Sequence, residues 1–278
     1  EIAVIVNPLS TCHVRDDSLL YETLNNQQMH LCYPRIGAPH DRLMVDDLDK
    51  ARDYKLYIVQ DALYLTAAQR RLIQSKLFRR GHTVLWIYAP GIVSDKSVSA
   101  DNVGDLVGMR IRHRETYTAL HLHLHLSAGD HPYARGVPPG SEWATWEGFG
   151  PLLYVDDPGA TVLGWGGDVH NRRPAFAVRR MPNWTSVYCS IPVLPPTVIR
   201  NIAREAGVHI YSEVDDFVAA NNWLLTVCAC TDGRRTIRLP RKATVIDAMT
   251  NRVVARCVNR FDVTMKFGET GIWTMGDE

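Results

Sequence analysis

The clearest hydrophobic pattern in the sequence is a run of apolar and β-branched residues at positions 83–88, which lies between Gly81 and Gly91. The preceding residues, 66–80, place apolar side chains at helical spacing. A helix followed by a near-continuous apolar run is typical of a buried parallel strand in an α/β sheet. Ligands of such sheets bind beyond the carboxyl ends of the strands, so any chemistry is expected at Ala89-Pro90-Gly91.

The first part of the chain alternates between apolar strands and amphipathic helices. Alternation of this kind predicts an α/β fold with a doubly wound, mostly parallel sheet of the flavodoxin-like type, because right-handed crossovers leave few other topologies. The predicted strands are residues 2–6, 42–45, 54–60 and 83–88. The predicted helices are residues 16–28, 66–80 and 100–108.

From Met109 onward the pattern changes to strict alternation and short strands, which predicts an antiparallel extension of the sheet. Residues 111–126 are expected to form one strand, residues 127–150 a long loop, and Gly166-Gly167-Asp168 a hairpin turn. Further strands are predicted at 152–155, 161–165, 175–179, 184–189 and 208–211, with a helix at 195–206.

The last part of the chain contains only short strands separated by turn residues, which predicts a small all-β sandwich domain. We therefore expect two domains, an α/β domain at 1–221 and a β-sandwich domain at 222–278. A β domain this small buries little apolar surface alone, so it is expected to pack on the α/β domain.

Charge and composition exclude several classes of partner. The 278 residues include 31 basic and 30 acidic side chains, so the net charge is +1, and the many arginines are scattered rather than clustered. Neither feature favours a nucleic-acid partner. No stretch approaches the roughly 18 apolar residues of a membrane-spanning helix, and no membrane association is expected.

The six cysteines show no Cys-x-x-Cys motif and no dense framework, and they are expected to be free thiols. The sequence does not identify the cellular compartment. The sequence begins directly in a predicted strand, without an initiator Met or a signal peptide. We therefore expect it to be a segment of a longer protein.

The position where this fold would carry a nucleophile holds none. In class I glutamine amidotransferases a Cys occupies a sharp turn after the central strand, whereas the turn here is Tyr88-Ala89-Pro90-Gly91. Proline also lacks an N–H for an oxyanion hole. Cys189 is the other thiol at a strand end, without flanking glycines. The sequence accordingly predicts no catalytic residue and no cofactor.

Two groups of side chains remain candidates for binding. His121, His123 and His125 alternate along a predicted strand, and two of them could ligate a metal with a third ligand from elsewhere. A solvated or interface strand face is the interpretation that we favour for this pattern. Three tryptophans in or beside the Gly/Pro-rich segments are candidates for carbohydrate contact, with local packing as the alternative; they are Trp143, Trp146 and Trp165.

Adjacent carboxylates at residues 46–47, 156–157 and 215–216 are candidates for paired acid chemistry. Glycosidases need two carboxyl groups about 5–9 Å apart across a sugar. Neighbours along a strand point to opposite faces, so no pair fits by itself. Residues 164–167, Gly-Trp-Gly-Gly, lack the third glycine and the following helix of a dinucleotide loop and are interpreted as part of a hairpin.

Several segments together resemble one known arrangement. The stretch YKLYIVQDALYLTAAQRRLIQSKLFRRGHTVLWIYAPG (residues 54–91), followed by a helix ending in Leu106-Val107-Gly108, is similar to the amidotransferase-like trimerisation domain of glycoside hydrolase family 42 (GH42) beta-galactosidases. The stretch RRPAFAVRRMPNWTSVYCSIPVLPPTVIRNIAREAGVHIY (residues 172–211) resembles the second half of that domain. The stretch GRRTIRLPRKATVIDAMTNRVV (residues 233–254) resembles the small C-terminal β domain.

The resemblance implies a non-catalytic scaffold that serves subunit assembly and lines the sugar site of a catalytic (β/α) barrel. The barrel and further copies of the chain are its implied partners, and no catalytic residue carries over. Two alternatives stay open: a stand-alone amidotransferase-like hydrolase with an unusual site at Cys12, His13 or Cys189, and a carbohydrate-binding module that uses the loop tryptophans.

Overall fold

The structure is a computed structural model, and it describes residues 1–15, 19–115, 118–119, 125–126, 130–138, 140–143, 148–168 and 171–276. Its α-helices are α1 (Leu19–Glu22), α2 (Ala67–Leu77), α3 (Ala100–Val107) and α4 (Pro196–Glu205), and a π-helix covers Thr23–Cys32. Its strands are β1 (Ile2–Val6), β2 (His40–Met44), β3 (Leu56–Val59), β4 (His82–Ile87), β5 (Ile111–Arg114), β6 (Thr118–Ala119), β7 (His125–Leu126), β8 (Gly148–Phe149), β9 (Leu152–Val155), β10 (Thr161–Asp168), β11 (Asn171–Arg180), β12 (Trp184–Cys189), β13 (Phe217–Ala220), β14 (Leu224–Cys228), β15 (Gly233–Asp247), β16 (Val253–Met265) and β17 (Thr270–Gly276).

The main sheet has the strand order β2-β1-β3-β4-β12-β11-β10-β7. Its first five strands are parallel, and β11, β10 and β7 extend it in antiparallel fashion. Strand β4 lies between β3 and β12, and its residues from Thr83 to Ile87 are buried. The apolar run that dominates the sequence is therefore a central strand, as predicted.

Helix α2 begins where the sequence places its cap. The Thr66 hydroxyl accepts a hydrogen bond from the Gln69 N–H (3.2 Å), and the Gln69 side chain accepts one from the Thr66 N–H (3.1 Å). This reciprocal capping box satisfies two N–H groups that the first turn leaves unpaired. Ile73 and Leu77 bury the apolar face of the helix.

The segment after β1 differs from the predicted helix. Residues 16–18 lie outside the described part of the chain, and α1 continues into the π-helix, which ends at Cys32 rather than at residue 28. The Gln28 side chain is buried; its amide donates to the Leu194 carbonyl (3.1 Å) and accepts from the Leu194 N–H (2.9 Å). Such a contact across 166 positions leaves no signal in local periodicity.

Two predictions for the middle of the chain are wrong. The alternating residues 111–126 do not form one strand: β5 pairs with β9, β6 with β8, and β7 with β10. Residues 208–211 do not form a strand either, because the Tyr211 N–H donates to the Gly37 carbonyl (2.7 Å) rather than to a neighbouring strand. Gly37 has φ +79°, and a Cβ there would lie 2.0 Å from the Ser212 carbonyl oxygen, so this close approach requires glycine.

The hairpin of β10 and β11 is confirmed, but its turn is displaced. Gly166, Gly167 and Asp168 belong to β10, where they pair with Arg173, Arg172 and Asn171. The predicted turn at 166–168 is therefore wrong, because the strand pairing continues through both glycines.

An α/β region followed by a β-rich region is confirmed. The second sheet has the order β13-β14-β17-β15-β16 and is antiparallel throughout. It is one hydrogen-bonded sheet rather than the two of a sandwich, because the long strand β15 pairs with both β16 and β17. Its first strand, β13, begins at Phe217 and so precedes the domain boundary predicted after Asn221.

Two arginines bind the segment of polypeptide that connects the two sheets. Arg200, on α4, donates to the carbonyls of Ile36 (3.1 Å) and Glu213 (2.9 Å) and to the Asp215 carboxylate (2.6 Å). Arg235, on β15, pairs with Asp216 at 2.8 Å, and both side chains are almost completely buried. The adjacent carboxylates 215 and 216 therefore each bind a different arginine.

Loss of the buried pair is expected to destabilise the second sheet strongly. Asp216→Ala leaves the Arg235 guanidinium buried and unpaired, so we expect about 3–5 kcal/mol of lost stability in urea unfolding. The neighbouring exposed pair Arg234–Asp262 (2.7 Å) provides the control. Asp262→Ala should cost less than about 1 kcal/mol. Equal losses for the two variants would contradict the assignment.

Candidate functional site at the carboxyl edge of the sheet

The parallel strands β1, β3, β4 and β12 end at a common edge of the main sheet. Ligands of parallel sheets bind at this edge, so it is the first place to look for chemistry. The residues that follow these strands carry buried polar side chains: Asn7, Gln60 and Asp61, Tyr88, and Ser190.

Tyr88 makes the sharp turn at the end of β4. Its backbone is left-handed, with φ +64°, which is rare for a bulky residue. Its N–H donates to the Cys189 carbonyl (2.7 Å), and its carbonyl accepts from the Tyr188 hydroxyl (2.7 Å). The structure therefore contains the strained turn expected after the central strand, and the residue in it is a tyrosine.

The Tyr88 phenol is held as a structural group. It is 4% exposed and donates to the Gly150 carbonyl (2.9 Å). Burial raises the pKa of the phenol well above its ordinary value, which opposes formation of a phenolate nucleophile.

At Gly91 the backbone lies very close to the side chains of Arg70 and Leu106. Its φ is +63°, and a Cβ would lie 2.7 Å from both the Arg70 guanidinium and the Leu106 side chain. The Arg70 side chain donates to the carbonyls of Gly91 and Asn102. The Ala-Pro-Gly segment is therefore built around an arginine that binds backbone oxygens.

A cavity of about 490 Å³ lies beside this turn. Its walls are mainly apolar, and its titratable side chains are those of His113 and Glu115, on and just after β5. The lining residues are Ile92, Val98, Ser99, Ala100, His113, Glu115, Gly150 and Pro151. The hydrogen bond from Tyr88 to Gly150 fixes one wall of this cavity.

Sequence reasoning did not single out His113 and Glu115. The signal was present, because positions 111, 113 and 115 of an extended chain share one face. It was hidden by the interpretation of residues 111–126 as one long strand, which drew attention to the histidines further along.

Among the described residues of this edge, Asp61 is the carboxylate whose pKa is strongly raised. It has a left-handed backbone (φ +47°) and is 2% exposed, and its Oδ1 has no hydrogen-bond partner. Burial raises the pKa of its carboxyl group to about 6, against the opposing effects of the Asn25 hydrogen bond and the Arg42 charge. A buried carboxyl without a full set of donors favours its neutral form.

The thiol candidates do not form a nucleophilic site. Cys189 is completely buried, and burial raises the pKa of its thiol to about 12. A thiol of this kind is inert at neutral pH. Cys12 is exposed, and the His13 ring stacks on the Tyr64 ring with centroids 4.4 Å apart.

The remaining carboxylate pairs are engaged in structural contacts. Asp157 accepts from the Arg110 N–H (2.8 Å) and pairs with Arg179 (2.9 Å), while Asp156 pairs with Arg110 (3.1 Å). Asp46 accepts a hydrogen bond from the Gln69 amide (3.0 Å).

The candidates for metal and carbohydrate contact are only partly described. Trp143 is partly buried against the core, and Trp165, on β10, is 38% exposed. Trp146, His121 and His123 lie outside the described residues, and His125 lies on β7. In the described part of the chain, no three His, Cys, Asp or Glu side chains are grouped to hold a metal ion. Within the same residues, no helix has the length and apolar character needed to cross a bilayer.

No protein-family model matches the sequence, and no curated protein matches it. Solved structures do match. The beta-galactosidase from Bacillus circulans sp. alkalophilus is 17% identical, with a TM-score of 0.62 over 99% of this chain and 41% of that chain. A catalytic mutant of a GH42 beta-galactosidase from G. stearothermophilus is 13% identical (TM-score 0.65; 99% and 40%). The beta-galactosidase from Rahnella sp. R3 is 15% identical (TM-score 0.66; 98% and 40%).

These matches confirm the resemblance drawn from the sequence as a likeness of fold. Nearly the whole chain matches, from the α/β region through the β-rich region. The chain spans about 40% of the length of these beta-galactosidases.

The buried Asp61 carboxyl makes stability depend on pH. Its folded-state pKa of about 6 lies above the ordinary value near 3.9, so the folded state binds the proton more tightly and stability falls as pH rises from about 4 to about 6. Asp61→Asn also tolerates a left-handed backbone and removes this fall, so it should be about 2–3 kcal/mol more stable than the wild type at pH 8. Urea unfolding at pH 4 and pH 8 measures both effects. Asp49→Asn, at an exposed side chain, is the control and should change the stability at pH 8 by less than about 0.5 kcal/mol.

The Tyr88 hydroxyl is expected to hold the cavity wall. Tyr88→Phe keeps the turn but removes the donor to the Gly150 carbonyl, at a cost of about 1–2 kcal/mol. Hydrogen exchange of residues 150–155 should become faster, while exchange in β4 stays slow. Tyr21→Phe, at an exposed ring, is the control. Unchanged protection of residues 150–155 in Tyr88→Phe would contradict this role.

Proposed function

We propose that this chain is a non-catalytic assembly and scaffold region of a multidomain, beta-galactosidase-like glycoside hydrolase. The observation that carries the proposal is the pair of coverages: 99% of this chain matches about 40% of a GH42 beta-galactosidase. A region with this relation to a larger enzyme performs its role beside other domains, and the catalytic (β/α) barrel is the partner we propose.

The engagement of the Tyr88 phenol within the fold, at the turn after β4, supports a scaffold role. In the proposed interpretation, the α/β region at 1–221 is a flavodoxin-like, amidotransferase-like domain, and the region at 222–278 is a separate β domain. The parallel strand order β2-β1-β3-β4-β12 favours the flavodoxin-like assignment. Tyr88, with its phenol bound to the Gly150 carbonyl, stands where an enzyme of this fold would place its reactive side chain.

We also propose two contacts for this chain, one with further copies of itself and one with the sugar site of the barrel. The chain associates with further copies of itself, as a trimerisation domain does. The cavity beside Tyr88 faces the sugar site of the barrel, and His113 and Glu115 are the polar groups that it offers there. The mainly apolar lining with a few polar side chains suits the edge of a ligand site.

The proposal predicts a division of activities. The chain alone should hydrolyse neither a chromogenic β-galactoside, nor an ester, nor glutamine, and the complete reading frame that contains it should hydrolyse the β-galactoside. Deletion of residues 1–278 from the complete protein should reduce the number of subunits in its oligomer, as measured by sedimentation velocity. Cys189→Ala should leave all these rates unchanged, since its thiol is buried.

Two results would contradict this function. Turnover by the chain alone that Cys189→Ala abolishes would establish the hydrolase alternative. A reading frame without an additional barrel domain would remove the proposed partner.

A further inference from the structure

We propose that the cleft between the two sheets is a binding site for a neutral saccharide, separate from the edge of the main sheet. The cleft has a volume of about 760 Å³, within the range of small-molecule sites. One side carries Asp41 and Arg52 from the region of β2 and β3, and the other carries Tyr211, Trp223 and Arg241. The residues that line the cleft come from both the α/β region and the β-rich region, so the cleft forms only when both regions are folded.

Trp223 gives the cleft an aromatic platform. Its side chain is 59% exposed, although its backbone is fixed: the N–H donates to the Asn221 Oδ1 (3.0 Å), and the carbonyl accepts from the Met275 N–H (2.7 Å). An exposed indole on a fixed backbone offers a flat apolar face at little cost in conformational entropy. The apolar C–H face of a pyranose ring is complementary to such a surface.

The charged side chains of the cleft are balanced in sign, which favours an uncharged ligand. Asp41 accepts hydrogen bonds from Arg52 (2.8 Å) and from the Tyr54 hydroxyl (2.7 Å). Glu1 and Arg241 add one further formal charge of each sign. A site with this balance has no net field to attract an anion or a cation.

The paired groups keep free hydrogen-bonding capacity. The side chains of Arg52 and Asp41 are 68% and 47% exposed despite their ion pair. A guanidinium has five N–H donors and a carboxylate about four acceptor positions, so each can bind a ligand hydroxyl as well. An aromatic face beside neutralised donors and acceptors suits a hydroxyl-rich, uncharged ring better than a phosphate or a peptide.

The test measures saccharide binding by the complete reading frame and by this chain, using as probes maltose and maltotriose, which are neutral and are not β-galactosides, so that the proposed barrel does not hydrolyse them. Isothermal titration should give the same affinity in both proteins. Trp223→Ala should weaken binding at least about fivefold, and Trp223→Phe should keep part of it. Unfolding temperatures should stay unchanged, since the indole is largely exposed.

The controls separate this cleft from other aromatic surfaces and other ligands. Phe267→Ala, at a side chain 76% exposed on a turn of the β-rich region, should leave binding unchanged. Loss of binding in Trp165→Ala but not in Trp223→Ala would move the site to β10 and overturn the proposal. Tighter binding of a glucuronic-acid disaccharide or inorganic phosphate would overturn the argument from charge. Binding by this chain but not by the complete protein would also overturn the proposal, because other parts of the complete protein would then fill the cleft.

Discussion

The pairing of strand β4 on both sides is the constraint on which the rest of the structure depends. Its neighbours β3 and β12 run parallel to it, so all three end at the same edge and their connections must leave in the same direction. Because the strand is also buried on both faces, the chain has little room to turn at its end. The left-handed backbone of Tyr88 provides that turn. Its carbonyl accepts a hydrogen bond from the Tyr188 hydroxyl, and its N–H donates to the Cys189 carbonyl, both on β12.

The adjacent carboxylates, which suggest catalytic chemistry in the sequence, make structural contacts in the fold. Adjacent carboxylates cannot share a ligand along an extended chain, and each one here meets its own partner. Asp156 and Asp157 organise arginines around β5 and β11, while Asp215 and Asp216 connect α4 to β15. The contacts of Asp215 and Asp216 neutralise charge where the polypeptide passes from the main sheet to the second sheet.

The likeness to GH42 beta-galactosidases gives this arrangement a context. The chain matches about 40% of the length of a GH42 beta-galactosidase, and it places a bound phenol at the sharp turn after β4. Two concave surfaces stand out among the described residues: the cavity beside Tyr88 and the cleft that carries Trp223. The first lies at the edge where this fold binds ligands, and the second is formed where the two sheets meet.

The sequence by itself determined the central parallel strands β1, β3 and β4, because a strand buried on both faces is typically a continuous apolar run. It also determined the α2 cap, since Thr66 and Gln69 satisfy N–H groups within one turn. Only the tertiary structure decided the other features. The division of residues 111–126 among three sheets depends on partners distant in the chain, and local alternation does not specify partners. The raised pKa of Asp61, the arginine partners of the carboxylates and the cleft at Trp223 likewise arise from packing between remote segments, which no single stretch of sequence encodes.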